Sequence, residues 1–360
     1  MSEPHRAATA PGRQRRQGRQ VSFLAQLLRR YRSSGLEASD HPGLIDRSEE
    51  PARLEATLKL LMPLLNAYQA ELEARGEIDF DAMIARALAY VEQGRYRPRW
   101  RFVLVDEFQD LSEPRARLIR ALLNAVTGAS LFAVGDDWQS IYRFNGSDIR
   151  LTTAFSDYFG DARCSALDLT FRFNNRINEV ASGFVMRNPH QLRKTLATVR
   201  QQDEPALSLL RHSGDADGAL ERVLDAIRCR AEAGSRVLIL ARHRFRLPDA
   251  ARRQALEQRF PSLAFEIQTC HGAKGREADY VVLLGLDGGP WGFPSGQVEH
   301  PLLEALLPPG EDFEQAEERR LFYVALTRAR QRVYLLGDAS RLSPFVAELL
   351  RDRYPLELIG

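Results

Sequence analysis

The sequence predicts an α/β fold built on parallel sheets and preceded by a helical segment. Three observations carry this. Short apolar runs rich in β-branched and aromatic residues begin at Phe102 and recur as far as Leu336. Helix-like stretches separate them, and from Val21 to about Tyr96 the pattern is helical. Strands that are apolar on both faces and alternate with helices suit a parallel sheet covered on both sides.

Residues 1–20 carry Gly, Pro, Gln and Arg and read as a disordered basic arm. In the first 32 residues only Glu3 opposes Arg6, Arg13, Arg15, Arg16, Arg19, Arg29, Arg30 and Arg32. Such an arm suits a nucleic acid, an anionic membrane, a transit peptide or simply solvent. From Val21 onward Leu54, Leu58, Leu61, Leu64 and Leu65 recur at helical spacing, as do Ile84, Leu88 and Val91 after Asp79. Strands are expected at Phe102–Val105, Ser130–Val134, Val237–Leu240, Tyr280–Leu286 and Arg332–Leu336. Helices are expected at Pro114–Val126, Asn174–Met186 and Glu314–Thr327, and Ser343–Gly360 reads as a closing helix with a strand-like end.

Composition bounds the rest. A chain of 360 residues, 44% apolar and 27% charged, has room for about two domains with real cores. Cys164, Cys229 and Cys270 lie far apart, which disfavours a zinc finger or disulfide scaffold and fits a reducing compartment. No apolar run approaches the roughly 20 residues of a membrane helix. Val21–Leu28 is short, and no small-residue cleavage site follows it, so no membrane partner and a cytoplasmic location are expected. The net charge of +2 names no partner. Lys59, Lys194 and Lys274 are the three lysines, and an arginine-heavy balance of this kind also follows from a GC-rich genome.

Chemistry gathers where strands end, the place where parallel sheets bind ligands. The first strand runs into Asp106-Glu107-Phe108-Gln109-Asp110. Adjacent carboxylates there suit Mg²⁺–nucleotide chemistry, with Asp106 on a hydrated Mg²⁺ and Glu107 orienting and deprotonating water. An acidic loop capping the next helix is the structural alternative. The second strand runs into Gly135-Asp136-Asp137-Trp138-Gln139-Ser140-Ile141-Tyr142-Arg143-Phe144. Gln139 would suit a γ-phosphate sensor. Tyr142 and Phe144 would offer a stacking face to unpaired bases, or fill the core.

These two segments resemble motifs of the UvrD/Rep-like superfamily 1 DNA helicases, within them the bacterial DNA helicase IV branch. Three further segments follow in the family's order. Thr170-Phe171-Arg172 resembles the motif that opens the second motor domain. Thr269-Cys270-His271-Gly272-Ala273-Lys274-Gly275-Arg276-Glu277 resembles the strand-contacting motif. Glu318-Arg319-Arg320-Leu321-Phe322-Tyr323-Val324-Ala325-Leu326-Thr327-Arg328-Ala329 resembles the last helicase motif. Ile78-Asp79-Phe80-Asp81 resembles an acidic-aromatic element ahead of the magnesium strand. The resemblance runs from about residue 55 to the C-terminus.

The resemblance implies RecA-like, P-loop NTPase sheets and an ATP- and Mg²⁺-dependent motor moving 3′→5′ on single-stranded DNA in a bacterial cytoplasm. It implies that Arg172 and Arg328 reach the γ-phosphate from the second domain, Phe171 stacks on the adenine and Glu277 holds the ribose. Thr269 and His271 would touch the DNA backbone, beside stacking by Tyr142 and Phe144. The family usually has Tyr at 171 and Trp at 144, so each ring is kept in altered form. Asn145 stands where the wider family often has Arg.

One part of the pattern is missing. The phosphate-cradling loop Gly-x-x-x-x-Gly-Lys-Ser/Thr needs a Gly-Lys pair, and the 360 residues contain none. The resemblance then implies a C-terminal portion of a helicase. Its expected parts are a helical insertion remnant at 21–75, a partial first motor domain at 76–164 and a complete second motor domain at 165–360. Such a chain would bind ATP weakly and depend on a longer product or a separate chain for the cradle. The alternatives are a non-catalytic module for single-stranded DNA or a protein, and a truncated gene product.

Overall fold

The computed structural model describes residues 11–359. It opens with α1 (Pro11–Ser33), α2 (His41–Arg47), α3 (Pro51–Arg75), α4 (Phe80–Glu92), β1 (Phe102–Val105), α5 (Glu113–Asn124), β2 (Ser130–Ala133) and α6 (Arg150–Thr153). There follow α7 (Phe155–Phe159), β3 (Leu169–Asn174), α8 (Asn175–Val185), β4 (Ala197–Arg200), β5 (Leu207–His212), α9 (Ala216–Arg230), β6 (Ser235–Ala241) and α10 (Ala250–Arg259). The chain continues through β7 (Leu263–Thr269), β8 (Ala278–Leu284), α11 (Pro301–Glu304), α12 (Ala316–Leu326), β9 (Ala329–Asp338), α13 (Pro344–Arg351) and β10 (Leu356–Ile359). Two units divide it. The first holds the chain up to Gly135 with Tyr142–Ala154 and Glu299–Gly310; the second holds Asp136–Ile141, Phe155–Val298 and the chain from Glu311 on.

In the first unit the leucine spacing of α3 does what its period dictates. Leu54, Leu58 and Leu61 lie on one helical stripe and pack with Leu27 and Tyr31 of α1, Leu44 of α2, and Leu302, Leu303 and Leu306. Pro51 opens α3 where a missing N–H costs nothing, and Gly76, at φ 63°, closes it in the left-handed region. Asp79 then starts α4. Its Oδ1 accepts from the Ala82 N–H at 2.8 Å and from Arg32 at 2.7 Å, and its Oδ2 accepts from the Tyr68 hydroxyl at 2.9 Å. β1 and β2 form a two-stranded parallel sheet in the register Phe102↔Ser130 to Val105↔Ala133. One of its faces is open, with Phe102, Leu104 and Phe132 exposed.

The second unit is built on a six-stranded sheet in the order β10-β5-β9-β8-β6-β7, every neighbouring pair parallel. Val237, Ile239, Tyr280, Val282, Tyr334 and Leu336 from its central strands are buried beneath Leu220, Val223, Leu224 and Ile227 of α9. β3 and β4 make a separate parallel pair.

Several expectations are corrected here. The basic arm expected to be disordered over 1–20 is helical from Pro11, while residues 1–10 and the side chains of Arg13, Arg15, Arg16 and Arg19 lie outside the described residues. Arg30 and Arg32 are structural cations: Arg30 pairs with Glu299 at 2.6 Å and Arg32 with Asp79. The helical segment 21–75 belongs to one unit with β1 and β2. Compared with the 165–360 block, the second unit lacks 299–310, whose leucines complete the helical core, and includes Asp136–Ile141 and Phe155–Cys164. No helix among the described residues is long and apolar enough to cross a membrane.

Asp79 caps α4 and neutralises a half-buried arginine at once. Asp79→Ala should therefore lower unfolding stability by about 1–2 kcal/mol. Asp79→Asn, which keeps the capping oxygen, should lose less; urea denaturation of both variants checks this.

Candidate functional site

The first unit presents the acidic pair at the end of β1. Asp106 and Glu107 are both exposed. Glu107 sits at φ 49°, ψ 43°, a left-handed conformation that costs a residue with a Cβ about 1–3 kcal/mol and recurs at functional turns. Neighbours hold it there. Its N–H donates to Asp106 Oδ1 at 2.9 Å, and Gln109 Nε2 donates to Glu107 Oε2 at 2.5 Å. The Phe108 N–H donates to the Val134 carbonyl at 2.9 Å, joining the two strand-end loops. Gly135 permits that approach, since a Cβ there would lie 2.8 Å from Gln109 Oε1 and 3.1 Å from its backbone nitrogen. The donor set suits hydrated Mg²⁺, which takes one or two carboxylates and keeps much of its water. Among the described residues no three His, Cys, Asp or Glu side chains gather into a protein cage.

Tyr142 and Phe144 meet edge to face, with ring centroids 6.0 Å apart. Phe144 is exposed and Tyr142 is half-buried. Burial raises the Tyr142 phenol above its ordinary value, and the charges of Asp110 and Glu107 push the same way. The stacking pair and the acidic pair thus share one neighbourhood of the first unit.

The second unit holds the remaining candidates. A cleft of about 410 Å³ is lined by Leu169, Thr170, Phe171, Arg172, Arg200, Glu277 and Arg330. Phe171 is 67% exposed. Glu277 pairs with Arg330 and, at 3.4 Å, with Arg172. The Arg330 hydrogen bond is the main force holding the Glu277 carboxyl below its ordinary value, and the Arg172 charge adds to it. Arg330 and Arg200 escaped the sequence reading. Arg330 lies two residues past Arg328 and was within reach of the motif; Arg200 sits on β4, a strand the sequence did not announce.

Gln139 is captured in this unit. Its Nε2 donates to Asp136 Oδ2 at 2.7 Å, and its Oε1 accepts from Arg328 at 3.4 Å. Lys274 Nζ donates to its carbonyl at 3.0 Å. Asp137 is fully buried, pairs with Lys194 and accepts from Gln191 Nε2 at 2.6 Å and the Leu192 N–H at 2.9 Å. Arg320 Nε donates to the Ser140 carbonyl at 2.6 Å, and its other nitrogens reach Gln191 and Glu311. Arg328 differs from an arginine reaching outward: it is buried, with Nε donating to the Val324 carbonyl at 2.9 Å near the end of α12.

Thr269 ends β7, and its Oγ1 accepts the Gly272 N–H at 3.2 Å. His271, two residues on, has its pKa lowered to about 4, by burial first and then by the charges of Arg242 and His243. Its imidazole is neutral at physiological pH.

Two expectations follow. Arg320→Ala leaves Glu311 and the Ser140 carbonyl without their cation and should cost about 3–5 kcal/mol by urea unfolding. For His271 the unfolded chain takes up a proton near pH 6.5 and the folded one only near 4, so acid favours unfolding within that window. The urea midpoint should fall as pH is lowered from 7 to 4.5, and the fall should be smaller in His271→Asn.

Comparison with known proteins extends this geometry. Residues 14–160 match the family model of the UvrD/REP helicase N-terminal domain, and residues 249–337 match that of the UvrD-like helicase C-terminal domain. DNA helicase IV of Escherichia coli strain K12 is 46% identical over 295 residues, which is 82% of this chain and 42% of that protein. The ATP-dependent DNA helicase UvrD1 of Mycobacterium tuberculosis strain H37Rv is 32% identical over 43% of this chain and 21% of its own length. The ATP-dependent DNA helicase Rep of E. coli strain K12 is 31% identical over 36% of this chain and 20% of its own. The chain thus spans less than half the length of each. With both domain models matched in order, around strand-end loops that carry the paired carboxylates and the arginines, the chain belongs to the UvrD/Rep superfamily 1 of DNA helicases.

Proposed function

We propose that the chain forms part of an ATP-driven motor of the helicase IV type, moving 3′→5′ on single-stranded DNA, with RecA-like sheets of the P-loop NTPase class. The observation that carries this reading is the cleft of the second unit. The exposed ring of Phe171, the guanidinium groups of Arg172, Arg200 and Arg330, and the carboxylate of Glu277 together match a purine, a polyphosphate and a ribose. In this reading Phe171 stacks on adenine, Glu277 accepts from a ribose hydroxyl, and Arg172 and Arg330 take phosphate charge. Arg328 acts through Gln139, which it hydrogen-bonds, rather than by reaching outward.

In the first unit Asp106 would hold Mg²⁺ through water, and the ion would supply positive charge to the phosphates. Glu107 orients a water and takes its proton, held ready by Gln109. Tyr142 and Phe144 stack on bases of the strand, and Thr269 and His271 contact its backbone. The phosphate cradle is assigned to residues outside these 360, supplied by a longer product or a separate chain, because they contain no Gly-Lys pair.

That same observation favours a second reading, a module that holds single-stranded DNA without turnover. ATP hydrolysis with and without oligo(dT), measured beside Glu107→Gln, separates the two. Where turnover occurs, Glu107→Gln should lower it by about 10²–10⁴-fold with DNA binding intact. Turnover by the 360 residues alone would overturn the assignment of the cradle elsewhere. DNA binding without turnover, even when a cradle-bearing segment is added, would establish the second reading.

A further inference from the structure

The mechanism leaves one cluster of the second unit unused. Where β6 ends, His243 and Phe245 stack with ring centroids 5.4 Å apart and planes 14° from parallel. Trp291, from the loop after β8, meets both edge to face, 5.5 Å from His243 and 5.7 Å from Phe245. A core cluster would be covered, yet Phe245 is 64% and Trp291 53% exposed. Cations surround the rings. Arg244 is exposed, and Arg246 lies over the Phe245 ring at 5.7 Å while keeping a 3.4 Å pair with Asp287.

Register fixes where this cluster lies. β6 and β7 are parallel neighbours with Ala241 opposite Thr269, and the Cys270 N–H donates to the Ala241 carbonyl at 2.9 Å. The loop after Ala241 and the loop after Thr269 therefore leave the same edge of the sheet side by side. His271 feels the charges of Arg242 and His243, in keeping with that adjacency.

We propose that His243, Phe245 and Trp291 form a second stacking platform for the unpaired bases of a nucleic-acid strand, continuing the contact made at Thr269 and His271. Exposed rings accept any base by its π-face, and neighbouring arginines meet the phosphates. The proposal rests on the reading of the chain as a single-strand-binding motor. It adds residues that none of the five family-like segments contains.

The test measures binding of fluorescein-labelled oligo(dT) to the full chain by anisotropy at fixed salt. Phe245→Ala with Trp291→Ala should weaken binding about 10- to 100-fold. Phe245→Tyr with Trp291→Phe, which keeps both rings, should stay within about threefold of the parent, and the salt slope should not change because no cation is removed. Oligo(dT) should also quench tryptophan fluorescence in Trp100→Phe but not in Trp291→Phe; Trp138 is fully buried. An unchanged Kd in the double alanine variant, with binding lost in Tyr142→Ala and Phe144→Ala, overturns the platform and leaves the motor reading standing. A parent chain that binds no oligo(dT) overturns both.

Discussion

The capture of Asp136–Ile141 by the second unit is the constraint on which the candidate site depends. The chain leaves the first unit at Gly135 and rejoins it at Tyr142. Between these points lies a buried carboxylate, Asp137, and against the same segment lies a buried guanidinium, Arg320 of α12; each would cost several kcal/mol if unpaired. Neither is. Asp137 meets Lys194, Gln191 and the Leu192 N–H; Arg320 meets the Ser140 carbonyl, Gln191 and Glu311. Gln191 serves both, so the two buried charges belong to one network. Removing Arg320 or Gln191 would cost buried partners on both sides of this network. Gln139 is presented from this rigid loop to Arg328 and Lys274.

Much of the fold was legible in the sequence because its central strands are apolar on both faces. Val237–Leu240 and Arg332–Leu336 fall on observed strands, and Tyr280–Leu286 overruns the end of β8 by two residues. β7 was missed because Leu263-Ala-Phe-Glu-Ile-Gln-Thr lies at the sheet margin, where only one side needs apolar residues. β3 and β4 are short and polar, and pair only with each other. β5 holds a buried serine, Ser208, that donates to Glu357 and accepts from Arg332, a satisfaction no local pattern announces.

The candidate site divides in the same way. Residues inside contiguous motifs, such as Asp106, Glu107, Gln139 and Phe171, could be named because strand, turn and side chain follow one another in the chain. Lys194, Gln191, Arg200 and Trp291 could not, since each reaches its place through tertiary packing alone. Asp79 shows the converse. Its motif is legible, yet the side chain is engaged in capping α4 and holding Arg32.

The cations of the second unit also differ in what they can do. Arg320 and Arg328 are buried and carry planar donor sets already directed at backbone carbonyls, a geometry a lysine ammonium would not reproduce. Arg320 holds the loop that carries Gln139, and Arg328 also reaches the Gln139 side chain. Arg172 and Arg330 are different: each is partly exposed at the rim of an open cleft, Arg172 paired with Glu277 and Arg330 with Glu277 and, at 3.9 Å, Asp279. A polyphosphate arriving there would meet guanidinium groups already oriented, and it would compete with partly solvated carboxylates rather than with a buried network. Displacing such a pair costs little, because exposed ion pairs contribute about 0–1 kcal/mol, whereas displacing Arg320 would dismantle the loop that carries Gln139. Burial therefore separates the arginines that build the site from those free to exchange partners within it.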